Sequence, residues 1–231
     1  MNALLRTRAC WIISLAVAAA VPHSASADVL HLGFKSVTNS IAGDVAIGQA
    51  QLSVEVTNVG VGADQVKFIF RNIGAAASSI CDIYFDDDGT LQSMASLVNG
   101  PGVSFTPGSA SPGNLPGGNN ASPPFQVTAG FLADSDAPVQ PNGVNPGEEL
   151  AILFNLPSGG TFADVKDALI SLDLRIGIHV QGFASGGSES FVNDPPVNPV
   201  PEPTSLTLLG IGLAGLGFGR WRRYRSKSPR E

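Results

Sequence analysis

The sequence predicts an all-β domain, an antiparallel β-sandwich with one short helix. Three observations predict it. Apolar residues recur at period two in several short runs, the pattern of strands with one face buried. Gly, Asn and Pro clusters separate these runs at turn-like spacing. The 231 residues contain only two Cys, and only Cys81 lies between the terminal segments, so the domain must be held by its core.

Taken in order, Val29 to Phe34 is a weak first strand candidate. In Gln51 to Asn58, Leu52, Val54 and Val56 face one way and Ser53, Glu55 and Thr57 the other. Val66, Phe68 and Phe70 alternate with Lys67, Ile69 and Arg71. Ser79 to Phe85 is strand-like around Cys81, which reads as a small buried residue. Thr90 to Leu97 and Phe125 to Ala129 are weaker strands, Leu150 to Leu156 is a mostly apolar one, and Ser190 to Val192 is weak again. The longest alternation places Leu172, Leu174, Ile176, Ile178 and Val180 against Asp173, Arg175, Gly177, His179 and Gln181, so His179 is expected on a solvated face. One segment has helical spacing: Thr161 and Asp164 approximate a capping box, and Phe162, Val165 and Leu169 share a face, which predicts a helix over 162–170.

Two segments carry neither period. Residues 99–124 hold six Gly and six Pro, and predict a mobile surface excursion. Residues 194–204 are Pro-rich and predict a stiff spacer of about 30 Å at ~3.1 Å per residue. The sandwich is thus bounded at 28–193.

The flanking segments read as addresses. Residues 1–27 have the form of a signal peptide: Arg6 and Arg8, then an uncharged apolar stretch from Ala9 to Val21, then Ala25-Ser26-Ala27. Signal peptidase is expected to read Ala25 and Ala27 and to cut after Ala27. Residues 205–219 form an uncharged apolar helix, and 220–231 a basic cytoplasmic tail with Arg220, Arg222, Arg223 and Arg225 as a stop-transfer cluster. Fifteen helical residues rise about 22 Å, less than the roughly 30 Å hydrocarbon core, which suits a transient transmembrane helix better than a lasting one.

Pro201-Glu202-Pro203, the apolar helix and the Arg-rich tail together resemble the PEP-CTERM sorting signal of Gram-negative bacteria that make exopolysaccharide. The resemblance implies recognition of Pro201, Glu202 and Pro203 by an exosortase-type membrane protease. It implies transient anchoring in the inner membrane, then release to the cell surface or extracellular matrix. Asp134-Ser135-Asp136, Asn142 to Glu148, Thr161 to Val165 and Leu174 to Phe183 also resemble a group of PEP-CTERM ectodomains without assigned activity.

Charge narrows the partners. Residues 28–197 contain five basic and seventeen acidic side chains, a formal charge near −12, which argues against nucleic acid. Two His and one Cys there cannot build a typical structural zinc site. Gly186-Gly187-Ser188-Glu189-Ser190 lacks the last Gly of a nucleophile elbow and reads as a turn before a strand. No catalytic residue is assigned. Asp82, Asp86 and Asp88 are weak calcium candidates, with Asp87-Asp88-Gly89 read alternatively as a hairpin turn. Asp134 and Asp136 with Glu148 or Glu149 are a second acidic cluster.

The expectation is an exported, non-catalytic surface or matrix protein associated with exopolysaccharide. Two alternatives stay open: a carbohydrate-binding or carbohydrate-cleaving module, for which two placed carboxylates suffice, and a calcium-stabilised adhesin-like domain.

Overall fold

The computed structural model describes residues 29–195. The expected signal peptide, the spacer beyond Pro195, the apolar helix 205–219 and the basic tail 220–231 lie outside the described residues.

Eleven strands form two antiparallel sheets. They are β1 (Val29–Leu32), β2 (Phe34–Ser36), β3 (Leu52–Thr57), β4 (Gln65–Asn72), β5 (Ser79–Asp87), β6 (Ser93–Asn99), β7 (Phe105–Pro107), β8 (Leu132–Ser135), β9 (Glu149–Asn155), β10 (Leu174–Gln181) and β11 (Glu189–Asn193). The five-stranded sheet runs β1-β3-β4-β9-β6, and the six-stranded sheet β2-β11-β10-β5-β8-β7. The helices are α1 (Ala42–Gln51), α2 (Val139–Asn142) and α3 (Phe162–Ser171).

The period-two runs put their apolar residues between the sheets. Leu52, Val54 and Val56 of β3, Val66, Phe68 and Phe70 of β4, and Leu150, Ile152 and Phe154 of β9 meet Ile83 and Phe85 of β5 and Leu174, Ile176, Ile178 and Val180 of β10. At its centre Phe85 packs edge-on against Phe68, Phe70 and Phe154, with ring centroids 5.1, 6.2 and 4.8 Å apart. This arrangement directs the positive ring edge at the negative face.

Several local expectations are corrected. Val29 to Phe34 is not one strand. The chain passes Gly33 and changes sheet, so β1 pairs with β3 and β2 with β11. The single expected helix becomes three. The expected one is present with its capping box: Asp164 N–H donates to Thr161 Oγ1 at 3.3 Å and Thr161 N–H to Asp164 Oδ2 at 2.7 Å. α1 was not legible because Ile41 provides no side-chain cap and Gly interrupts the pattern. Tertiary partners hold it instead: Ile41 N–H donates to Glu189 Oε1 at 2.7 Å, and Ser185 Oγ to Asp44 Oδ2 at 2.5 Å. β10 begins at Leu174, since Leu172 caps α3 in the left-handed region at φ 70°. Phe125 to Ala129 forms no strand.

Asp87-Asp88-Gly89 is not a hairpin turn, because β5 and β6 belong to different sheets. It is an inter-sheet connection. The Asp87 carboxylate accepts from the N–H groups of Gly89, Thr90 and Leu91 at 3.3, 3.0 and 3.1 Å. Gly89 sits at φ 93°, a conformation that other residues enter only at a cost.

Residues 99–124, expected as a surface excursion, pack as a cover. Asn99 brackets Phe105, accepting from its N–H at 3.0 Å. β7 pairs with β8, and a 3₁₀ turn forms at Gly118–Asn120. Leu115 and Phe125 then pack with Tyr84, Leu132 and Val192 as a second apolar cluster on the outer face of the six-stranded sheet. The reason is a complementary shape. Gly177 leaves a gap in that face, and a Cβ there would lie 2.9 Å from Leu115 Cδ2 and 3.0 Å from Phe125 Cζ. Composition alone hides this, because Gly and Pro set the backbone while two apolar side chains decide the packing.

Candidate functional site

Directly opposed residues of neighbouring strands point to the same face. The register of the six-stranded sheet therefore writes rows across its outer surface. One row is apolar: Val192, Gly177, Tyr84 and Leu132 on β11, β10, β5 and β8. The next is polar: Ser190, His179, Asp82, Asp134 and Thr106 on β11, β10, β5, β8 and β7. On the other side of the apolar row, Arg175 of β10 opposes Asp86 of β5.

The polar row is largely buried. His179 is 8 % exposed, which corrects the expectation of a solvated imidazole. It lies on the outward face as the alternation requires, yet it is buried there. His179 Nδ1 lies 2.8 Å from Asp82 Oδ2. Asp82 is 1 % exposed, and its other oxygen, Oδ1, has no hydrogen-bond donor. Asp134 lies directly opposite Asp82 on the neighbouring strand. Burial, and then the adjacent Asp82, push the Asp134 carboxyl up to about 6. Ser190 Oγ is buried with no hydrogen-bond partner, so this row is not joined into a serine–histidine–aspartate chain.

The calcium candidates are dispersed. Asp82 is joined to His179, and Asp86 pairs with the Arg175 guanidinium. Asp88 is exposed and lines a surface cleft of about 380 Å³ with Asp164 and Asp173. In the second acidic cluster, Asp136 accepts from Ser104 Oγ at 2.6 Å and Thr106 Oγ1 at 2.8 Å, bonds that hold its carboxyl below the usual range. Glu148 accepts from Asn145 and Glu149 from Arg71. Among the described residues no three His, Cys, Asp or Glu side chains are grouped so as to hold a metal ion.

Cys81 is fully buried, and desolvation pushes its thiol up to about 11, so the nucleophilic thiolate is disfavoured. Arg175 anchors the far side of the cover. Its guanidinium donates to the Pro123 and Pro124 carbonyls and lies over the Phe125 ring, 5.4 Å from the centroid. Glu189 was not anticipated. Although it follows a Gly/Ser turn, it is 1 % exposed and accepts from Thr38 Oγ1 at 2.5 Å and from the Ile41 N–H. No feature of the sequence distinguishes it from a solvated turn residue.

Pro201, Glu202, Pro203, the arginines of the basic cluster, Ala25 and Ala27 lie outside the described residues. The comparison with known families bears on that region. No curated protein matches the chain, and no solved structure does. The family model of the PEP-CTERM protein-sorting motif matches residues 199–223. The match covers the Pro-Glu-Pro triplet, the apolar segment and the first arginines, and it begins four residues past Pro195, the last residue described. It implies export and a membrane-linked sorting step with processing by exosortase, a membrane protein. The chain is thus one that carries the PEP-CTERM sorting domain, on residues 199–223.

Proposed function

We propose that this protein is a non-catalytic component of the cell surface or extracellular matrix, released there after exosortase cleavage and retained among exopolysaccharide. The observation that carries the reading is the sorting motif placed directly behind a sandwich-like domain. A Pro-rich stretch separates the two along the sequence.

The use of aromatic side chains supports the non-catalytic reading over a carbohydrate-active one. Ten of the eleven Phe between 29 and 195 are buried, Phe131 is half-buried against the core, and Tyr84 donates to the Pro112 carbonyl under the cover. Sugar platforms need exposed rings, and these rings serve packing.

The test is fractionation. Glu202→Ala, or deletion of Arg220 to Arg225, is expected to leave full-length protein in the inner membrane, detected by immunoblot of membrane and secreted fractions. Unchanged size and release in both variants would remove the sorting reading. Release of wild-type protein that then fails to co-sediment with native exopolysaccharide would remove the matrix assignment alone.

A further inference from the structure

Among the described residues, four strands lack a neighbour on one side: β1 and β6 on the five-stranded sheet, β2 and β7 on the six-stranded one. An open edge presents unpaired N–H and C=O groups, and soluble proteins guard it with shortness, charge, proline or a bulge. β1 and β2 have only four and three residues, and β2 carries Lys35. β7 has three and ends on Pro107. β6 is different. It has seven residues, Ser93–Asn99, without a charge, a Pro or a Gly.

A bulge between Met94 and Ser96 makes one end of β6 irregular. From Ser96 the ladder to β9 runs regularly to Gly100, whose N–H donates to the Glu149 carbonyl at 3.2 Å. Val98 is the centre of that regular stretch. Alternate residues of an antiparallel strand turn their main-chain groups to opposite neighbours. Gly100 bonds to β9, so Ser96 and Val98 do as well, and Leu97 and Asn99 turn theirs outward. Asn99 holds Phe105 with its side chain, which leaves its main chain for the edge. Val98 is 56 % exposed, in a row with Ala151 and Ile69 across the outer face.

We propose that β6 is the surface on which a second copy of this chain docks, the two β6 strands pairing antiparallel about a two-fold axis at Val98. The two Val98 side chains meet on the outer face and cover one another. Leu97 of each copy exchanges main-chain hydrogen bonds with Asn99 of the other. Charge selects this occupant. Residues 28–197 carry five basic and seventeen acidic side chains, so two copies repel across most of their surfaces. Residues 90–133 contain no charged side chain, and β6 is the longest edge strand within them. Glu149, beside Gly100, is already bridged by Arg71 at 3.0 Å. A two-fold axis sets each residue against the same patch of the other copy. Like charges directly opposed are destabilising, so an uncharged strand suits this pairing and a charged one does not. A contact of this size belongs to the weak, transient class of interfaces.

The test is sedimentation equilibrium of the full chain in mild detergent over a range of protein concentrations. The wild type is expected to pass from monomer to dimer, with stronger association as NaCl rises from about 0.05 to about 0.5 M, because salt screens the repulsion between copies. Val98→Glu and Val98→Lys each place two like charges face to face and are expected to weaken association about tenfold or more. An equimolar mixture of the two variants is expected to restore it, since Glu then meets Lys. Val98 is exposed, so both variants are expected to keep the wild-type far-UV spectrum and melting temperature. As a second readout, Val98→Cys in a Cys10→Ser background is expected to form an interchain disulfide about tenfold faster than Ile73→Cys in the same background. Cys81 is buried, and Ile73 is the more exposed position, at 70 %. A wild type that stays monomeric, or association unchanged in both charged variants, would overturn the proposal. Stronger association of Val98→Lys alone would also overturn it, by setting β6 against an acidic surface rather than against its own copy. Equal disulfide rates at the two positions, or no restoration in the mixture, would overturn the pairing at Val98.

Discussion

The two sheets differ in what lies on their outer faces. On the five-stranded sheet the outward side chains of β3 and β4, Ser53, Glu55, Lys67 and Arg71, are half-buried and meet water, and Arg71 bridges Glu55 and Glu149 at 2.5 and 3.0 Å. On the six-stranded sheet almost every residue of β5, β10 and β11 is buried, and Leu115 and Phe125 of the 108–125 segment pack over part of its outer face. Both sheets have the same inner core. Alternation in a strand reports which face is built to pack, and says nothing about whether a later segment of chain will cover the other.

The comparison can be broken at the shared core first. Phe85→Ala removes the ring at the centre of the aromatic cluster and should cost about 3–5 kcal/mol, the usual range for such truncations. Both sheets should lose stability together in a single transition, followed by thermal melting. Phe125→Ala strikes only the cover. The loss should be about 3 kcal/mol, at the low end of the same range because a surface segment can partly close the gap. The far-UV spectrum should hardly change, while proteolytic cuts appear within 108–125. Equal sensitivity of the two variants to protease in that segment would erase the distinction between inner and outer clusters.

Smaller changes sharpen it. Thr161→Ala removes the capping box of α3 and should cost about 1 kcal/mol, lowering Tm by roughly 2–4 °C for a domain of this length. The smallest effect is expected from Asp134→Asn, and its sign depends on pH. The folded carboxyl titrates near 6, above its ordinary value of 3.8, so the folded state binds the proton more tightly than the unfolded state. Its contribution is present below about pH 4 and lost as pH rises through about 6. Asp134→Asn should therefore melt above the wild type at about pH 7.5 and match it near pH 4, a difference kept small by the solvent exposure of the group. A variant that melts lower at neutral pH would contradict the assigned sign.

Much of the fold was legible for simple reasons. Leu52, Val54 and Val56 alternate with polar residues, and Thr161 with Asp164 is a local signature that needs no tertiary information. Helix α1 was not legible, because its contacts to Glu189 and Ser185 come from residues more than 140 positions away. The packing of the cover was not legible, because its Gly and Pro content describes backbone freedom, whereas Leu115, Phe125 and the gap at Gly177 determine where it rests. The polar row follows from register, which sets Asp82 beside both His179 and Asp134. Closeness in the sequence suggested Asp82, Asp86 and Asp88 as a group, yet each meets different surroundings.

The measurement that tests the account most directly is limited proteolysis with a broad-specificity protease near pH 5, with cut sites mapped by mass. Residues 99–124 have the composition of a loop that such an enzyme would enter first. If the segment covers the six-stranded sheet as described, the first cuts fall outside 108–125 and this stretch is lost only when the whole domain unfolds. First cuts between 108 and 124, with the sheets still folded, would contradict it.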